Sequence, residues 1–189
     1  MQSVTEADSM DVTEAIETRL ELKTYSDEPV DDETKRAILE AGRLTPSGRN
    51  RQPWRFVVVE DQDALDALAE ESPSGPWIAN ADFAVAICVD ASHEDLRDHD
   101  HIVDAGRAVT HMQLVAWEHG VGSRIFTVSE QPVYETLAVP PAYDLPLIVG
   151  FGYPDREIQG LKDRKPLESV VDFGTFGGDF ELDDENTTR

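Results

Sequence analysis

The chain has 189 residues, enough for one domain that buries roughly 70% of its unfolded surface and too few for two comfortable ones. Its 39 acidic residues outweigh 16 basic ones, and the resulting net charge of −23 repels nucleic acid and anionic lipid, which argues against polyanionic partners. Lysine occurs only at Lys23, Lys35, Lys162 and Lys165, and the acids are spread along the chain, a composition expected of a protein from a salt-adapted organism.

Residues 1–10 are polar and acidic, lack the apolar stretch of a signal peptide, and are expected to be mobile. Asp11 or Thr13 caps a short helix running to Arg19. Asp31 or Asp32 caps a second helix, with Ile38, Leu39 and Ala41 or Gly42 facing inward, that ends before Pro46. Residues 56–59 and 83–89 are continuous apolar runs that read as strands buried on both faces, and 61–69 between them reads as helix. The longest predicted helix covers 100–119: Ile102, Gly106, Val109, Met112 and Ala116 recur every three or four residues, and Gly120 closes it. Ala105, Gly106 and Ala108 are small enough for another helix to approach closely. A short helix over 130–137 and a strand over 145–151, with Pro146 near its start, complete the elements. Residues 177–189 form an acidic, Gly-rich tail expected to be mobile.

Helices and strands alternate without a regular βαβ rhythm, which predicts an α+β fold with residues 11–176 as a single domain. No apolar run reaches the roughly 18 residues of a membrane span. The lone cysteine, Cys88, lies inside the apolar run 83–89, so it is expected to be a buried thiol, and a reducing cytoplasm is the expected address.

The loop over 46–54 has the densest chemistry. Pro46 stops the preceding helix, Ser47 and Gly48 supply a turn with a hydroxyl and backbone donors, and Asn50 and Gln52 each bring an amide that donates and accepts. Pro53 and Trp54 lead into the strand. Such a loop suits the edge of a planar heterocycle, such as a flavin ring, that alternates donors and acceptors; it also suits a polar connector with an aromatic packed beneath it. Elsewhere, Arg19 and Lys23, and Lys162, Arg164 and Lys165, stand out in so acidic a chain, either as an anion site or as ordinary surface ion pairs.

In order and spacing, Pro46, Ser47, Gly48, Asn50, Gln52, Pro53 and Trp54, with the apolar strand behind them, resemble the flavin-binding signature of the nitroreductase family. The resemblance implies a small mixed, largely antiparallel sheet flanked by helices. It also implies a long central helix at the interface of a homodimer whose two FMN sites draw on both subunits. It implies that Pro46, Ser47, Asn50 and Gln52 lie near the ribityl chain and ring. The family opens with Arg-Arg-Ser-x-Arg and closes with Lys/Arg-x-Arg, both gripping the FMN phosphate; Arg19 and Lys23 match the first and last opening positions, and Lys162 and Arg164 the closing pair. The Gly120-Val121-Gly122-Ser123 segment is similar to the family's turn after the long helix, beyond which the backbone at Phe126 and Thr127 passes the flavin. The chain departs from the pattern at Leu20, in place of the second Arg, and at Glu21, in place of a phosphate-binding Ser. A carboxylate facing a phosphate is repulsive unless a cation stands between them, so Glu21 is expected either to point away or to weaken binding.

The function implied by the resemblance is FMN-dependent transfer of a hydride from NAD(P)H to an electron-poor acceptor such as a nitroaromatic or quinone, with no side chain needed as catalytic acid or base. A reductive dehalogenase-like flavoenzyme and a non-catalytic flavin carrier or sensor are the alternatives. No metal is expected: His99 and His101, two apart on a helix, do not share a face. His111 and His119 read as structural. No Ser-His-Asp order and no phosphate-binding Gly-Lys-Ser/Thr loop is present.

Overall fold

Aspartates start the first three helices. In the computed structural model, which describes residues 10–71, 76–90, 100–128, 131–158, 160 and 162–182, Asp11 caps α1 (Val12–Thr18), Asp31 caps α2 (Asp32–Arg43) and Asp61 caps α3 (Gln62–Glu70). Each carboxylate accepts from the backbone N–H three residues on, at 2.8 Å for Glu14, 2.9 Å for Thr34 and 3.1 Å for Ala64, which satisfies a donor that helix geometry leaves open. The long helix α4 (Asp100–Glu118) ends at Gly120, whose φ of 74° few side chains tolerate. Val121 N–H then bonds Ala116 C=O at 2.8 Å and Gly120 N–H bonds Trp117 C=O at 3.0 Å, the paired bonds of a Schellman terminus. A short helix, α5, spans Gln131–Thr136.

Four strands form one sheet: β1 (Trp54–Val59), β2 (Phe83–Asp90), β3 (Gly122–Thr127) and β4 (Tyr143–Gly152), in the order β1-β2-β4-β3. Every neighbouring pair is antiparallel. The parallel component expected of a mixed sheet is limited, among the described residues, to a single bridge between Glu21 and Ser123. β2 is buried along its length and sorts its side chains by face. Phe83, Val85, Ile87 and Val89 pack against α2 and α4, with Ile38, Val109 and Met112; Ala84, Ala86 and Cys88 pack towards α3 and α5, with Leu65, Leu68 and Val133. This period of two places one apolar layer on each side of the sheet.

The structure corrects four expectations. β1 is an edge strand and not buried on both faces: only β2 flanks it, and Val58 remains 40% exposed. The inward face of α4 is broader than the stripe read off the sequence: Val109, Met112 and Ala116 are buried as expected, but the first turns of the helix differ. Ile102 is 45% exposed and Gly106 half-buried, while Asp104, Ala105, Ala108 and Gln113 are buried, because a helix facing both α2 and the sheet buries more than a single stripe. Pro146 lies inside β4, where the ladder slips by one residue between Ile87 and Val89, so its missing N–H falls at a bulge. β3 was not anticipated as a strand, since six residues containing Ser123, Arg124 and Thr127 show little apolar signal. Gly42 on α2 is a further small residue at a helix contact, since an added Cβ there would clash with Met112 Cε.

The predicted mobile ends fall largely on 1–9 and 183–189, outside the described residues. Within 177–182 the chain is largely exposed, and Phe180 meets Phe173 edge-on at 5.9 Å. No described helix is long and apolar enough to cross a membrane.

Candidate functional site

The loop between α2 and β1 is held in an unusual backbone conformation. Arg49, Asn50 and Gln52 have φ of 53°, 57° and 53°, left-handed values that cost a non-glycine residue about 1 kcal/mol or more each. One local and one long-range bond keep it there. Ser47 Oγ accepts from Gln52 N–H at 2.8 Å, and Gly48 N–H donates at 3.2 Å to Asp104 Oδ2 on α4. Asp104 is buried, with Arg107 Nη1 3.5 Å from its other oxygen. Behind the loop, Thr45 Oγ1 and His111 Nδ1 share a hydrogen bond of 3.0 Å, which accounts for His111 structurally. The result presents Pro46, Asn50 and Gln52 to solvent, with Ser47 half-buried beneath them.

A second group assembles around the end of α1. Arg19 is its C-terminal cap, and Lys162 Nζ donates to Ile16 C=O one turn earlier. The Lys162 ammonium is held below its usual pKa by desolvation first and then by the positive charges of Arg19 and Arg164, with Glu17 opposing. Lys162 thus reaches the end of α1 from a distant part of the chain, and Arg19 and Arg164 both lie close enough to act on its charge. Lys23 is exposed and lines a cleft of about 410 Å³ with Glu21, Thr24, Pro154, Asp155 and Arg156. A larger groove of about 790 Å³ runs between α2 and β1, past Leu39, Phe56 and Val58, and contains none of the residues of either group.

Glu21 neither points away nor stands bare. Its Oε1 accepts from Arg19 Nη1 at 2.8 Å and from Gln113 Nε2 at 3.1 Å, and its Oε2 accepts from Ile125 N–H at 3.0 Å. Gln113 Nε2 also donates to Ser123 Oγ at 3.1 Å, and Leu22 N–H to Ser123 C=O at 3.1 Å, so the segment after α1 is joined to α4 and β3. Next to it the buried Tyr25 hydroxyl donates to Leu22 C=O at 3.1 Å. Burial pushes that phenol well above its ordinary pKa; the charge of Glu21 adds to the shift and Arg124 opposes it.

Phe126 is 1% exposed and its ring belongs to the core, so any ligand contact there comes from backbone. Thr127, opposite Leu147 at the end of β3, is exposed. The two groups attach to different parts of α4: the loop to Asp104, and the α1 segment to Gln113 and to Trp117, whose indole N–H donates to Thr18 Oγ1 at 2.8 Å. Thirteen residues of helix separate Asp104 from Trp117, about 20 Å.

Asp104 and Gln113 were not recognised as site residues from sequence. Their signal was available, because a carboxylate and an amide at buried positions of an amphipathic helix require partners. Among the described residues no group of three or more His, Cys, Asp or Glu is arranged to hold a metal. His101 Nε2 lies 2.9 Å from Asp144 Oδ2, and His99 is outside the described residues.

A sequence model described as the Nitroreductase family matches residues 16–79, a span holding both Arg19–Lys23 and the 46–54 loop. A protein of Archaeoglobus fulgidus, provisionally named NADH dehydrogenase/NAD(P)H nitroreductase, is 31% identical over 147 residues, covering 75% of this chain and 84% of the relative. The chain belongs to the nitroreductase family. Another relative, the FMN reductase [NAD(P)H] of Bacillus subtilis, is 30% identical over 183 residues, covering 85% of this chain and 72% of the relative. Among solved structures, an FMN-dependent nitroreductase from Clostridium difficile R20291 superposes with a TM-score of 0.77 at 29% identity, covering 86% of this chain and 98% of the other. The fold is thus nitroreductase-like, with helices around a four-stranded antiparallel sheet. Lys162 and Arg164 lie beyond the span of the nitroreductase sequence model.

Proposed function

We propose that this chain is an FMN-dependent oxidoreductase that takes a hydride from NAD(P)H and delivers it to an electron-poor acceptor such as a nitroaromatic or quinone. The observation that carries this reading is the convergence of Arg19, Lys162 and Arg164 in a chain of net charge −23. Glu21 and Glu17 offset part of this positive charge, and a flavin phosphate is an anion suited to the remainder. The relatives point the same way, being named as nitroreductases and an FMN reductase.

In this reading Arg19, Lys162 and Arg164 hold the phosphate, with Lys23 at the margin. Ser47, Asn50 and Gln52 meet the ribityl chain and ring, Pro46 packs against them, and the backbone of Phe126 and Thr127 passes alongside. When bound, FMN supplies the hydride chemistry, and no protein side chain is needed as acid or base. The protein's part is to orient: the left-handed backbone at Asn50 and Gln52 sets their amides before any ligand arrives, which lowers the ordering cost of binding.

The reading includes a homodimer. The loop and the cations sit about 20 Å apart along α4, so a two-fold axis crossing that helix brings one subunit's loop towards its partner's cations. Exposed apolar residues are available for such a contact: Ile102 and Val103 on α4, and Val12 and Ile16 on α1. We take residues 11–176 as the functional domain. The acidic surface is read as salt adaptation, and the unpaired Cys88 thiol as a sign of the cytoplasm.

The test is an absorption spectrum of protein purified in high salt, followed by anaerobic addition of NADH and of NADPH. A flavin spectrum that bleaches, and recovers on adding a nitroaromatic or quinone, is expected. A yellow protein that neither nicotinamide bleaches is a carrier or sensor, and a colourless protein that takes up no added FMN removes the reading.

A further inference from the structure

Glu21 occupies donors that an anion would use. A guanidinium, a side-chain amide and a backbone N–H all converge on its carboxylate, and the guanidinium is that of Arg19, one of the three clustered cations. We propose that Glu21 is a built-in competitor of the FMN phosphate, which partly neutralises the flavin-free site, makes the cofactor exchangeable and narrows the preference for FMN over riboflavin. This inference rests on the flavin reading above.

Charge supports it. Arg19, Lys162 and Arg164 provide three positive charges; the Glu21 carboxylate offsets one of them before a ligand arrives. A phosphate monoester brings about 1.5 to 2 negative charges at neutral pH, so it meets a cluster without surplus and a carboxylate beside it. Being part of the chain, Glu21 is always present at high effective concentration, whereas a phosphate must displace it or share Arg19 with it.

A purely structural role explains the arrangement less well. The junction of the α1 segment with α4 and β3 is also held by Leu22 N–H to Ser123 C=O, Gln113 Nε2 to Ser123 Oγ and Trp117 Nε1 to Thr18 Oγ1, none of which involves Glu21. The Glu21 side chain is 37% exposed, so its charge is open to solvent and to an incoming ligand rather than sealed in the core. Loss of the charge alone therefore leaves the junction in place.

Glu21→Gln removes the charge and keeps an oxygen to accept from Ile125 N–H. Wild-type, Glu21→Gln and Glu21→Ala proteins, stripped of flavin, are to be titrated with FMN and with riboflavin at low and high salt, following quenching of flavin fluorescence, with thermal melts as a check on folding. Glu21→Gln is expected to bind FMN on the order of tenfold more tightly and riboflavin no differently, with the gain shrinking as salt rises. Glu21→Ala should gain in the same direction. Unchanged or weaker FMN binding by a cooperatively melting Glu21→Gln protein, or an equal gain for riboflavin, would overturn the proposal. Loss of cooperative melting in both variants would make Glu21 a structural clamp and overturn it too. A wild-type protein that binds neither flavin defeats the FMN reading itself, and this proposal with it; wild-type binding with an unresponsive Glu21→Gln defeats this proposal alone.

Discussion

The 46–54 loop and the cation cluster are built in opposite ways. The loop is nearly contiguous: its strained residues, its closing bond from Gln52 N–H to Ser47 Oγ and its solvent-facing amides all fall within a few positions, and a long-range bond from Gly48 N–H to Asp104 fixes it to α4. The cluster is assembled from distant segments, with Arg19 at the end of α1 and Lys162 and Arg164 more than a hundred residues later, next to a carboxylate held by α4 and β3. A contiguous site stores its specificity in backbone strain, whereas a dispersed one stores it in charge balance. The two halves should therefore fail differently when disturbed.

The largest expected effect is on the dispersed half. Replacing Lys162 and Arg164 together by Ala should weaken FMN by roughly a hundredfold or more, since each charge-assisted bond contributes about 1.5–3 kcal/mol, and should leave riboflavin almost untouched. An equal loss for both flavins, measured by fluorescence titration, would place these cations outside the phosphate site. Asp104→Ala acts on the contiguous half. By leaving Gly48 N–H without its acceptor and Arg107 without its partner, it should weaken FMN and riboflavin alike, on the order of tenfold. Selective loss of FMN would instead tie Asp104 to the phosphate end. The smallest effect on stability should come from Gln52→Gly. Relief of a left-handed residue and the added freedom of the unfolded chain nearly cancel, so stability should stay within about 1 kcal/mol by denaturant titration while both flavins bind several-fold more weakly. A large gain in stability would show that the loop strain is costlier than its geometry suggests. A large loss would show that the Gln52 side chain supports the fold.

Much of this was legible in advance. Asp11 and Asp31 cap their helices in the way short polar side chains before an apolar period foretell, the apolar run 83–89 became the central strand β2, and Gly120 closes α4. The pattern in 46–54 was likewise visible, because a loop of neighbouring residues carries its chemistry in order. The full width of the buried face of α4 was not, since a helix that packs on both α2 and a sheet buries Asp104, Ala105, Ala108 and Gln113 beside the stripe at Val109, Met112 and Ala116. Nor was β3, whose polar residues Ser123 and Arg124 are accommodated only because β4 and the α1 segment flank them.

The sequence by itself determined the local devices: the caps, the turns, the two-sided burial of β2, and the amide-bearing loop whose residues stand side by side. Only the tertiary structure decided that Lys162 bonds the end of α1 at Ile16 C=O, and that Glu21 is bound by Arg19, Gln113 and Ile125 N–H. Hydrogen bonds and charges act over a few ångströms of space, and sequence order reports such distances faithfully only for neighbours along the chain.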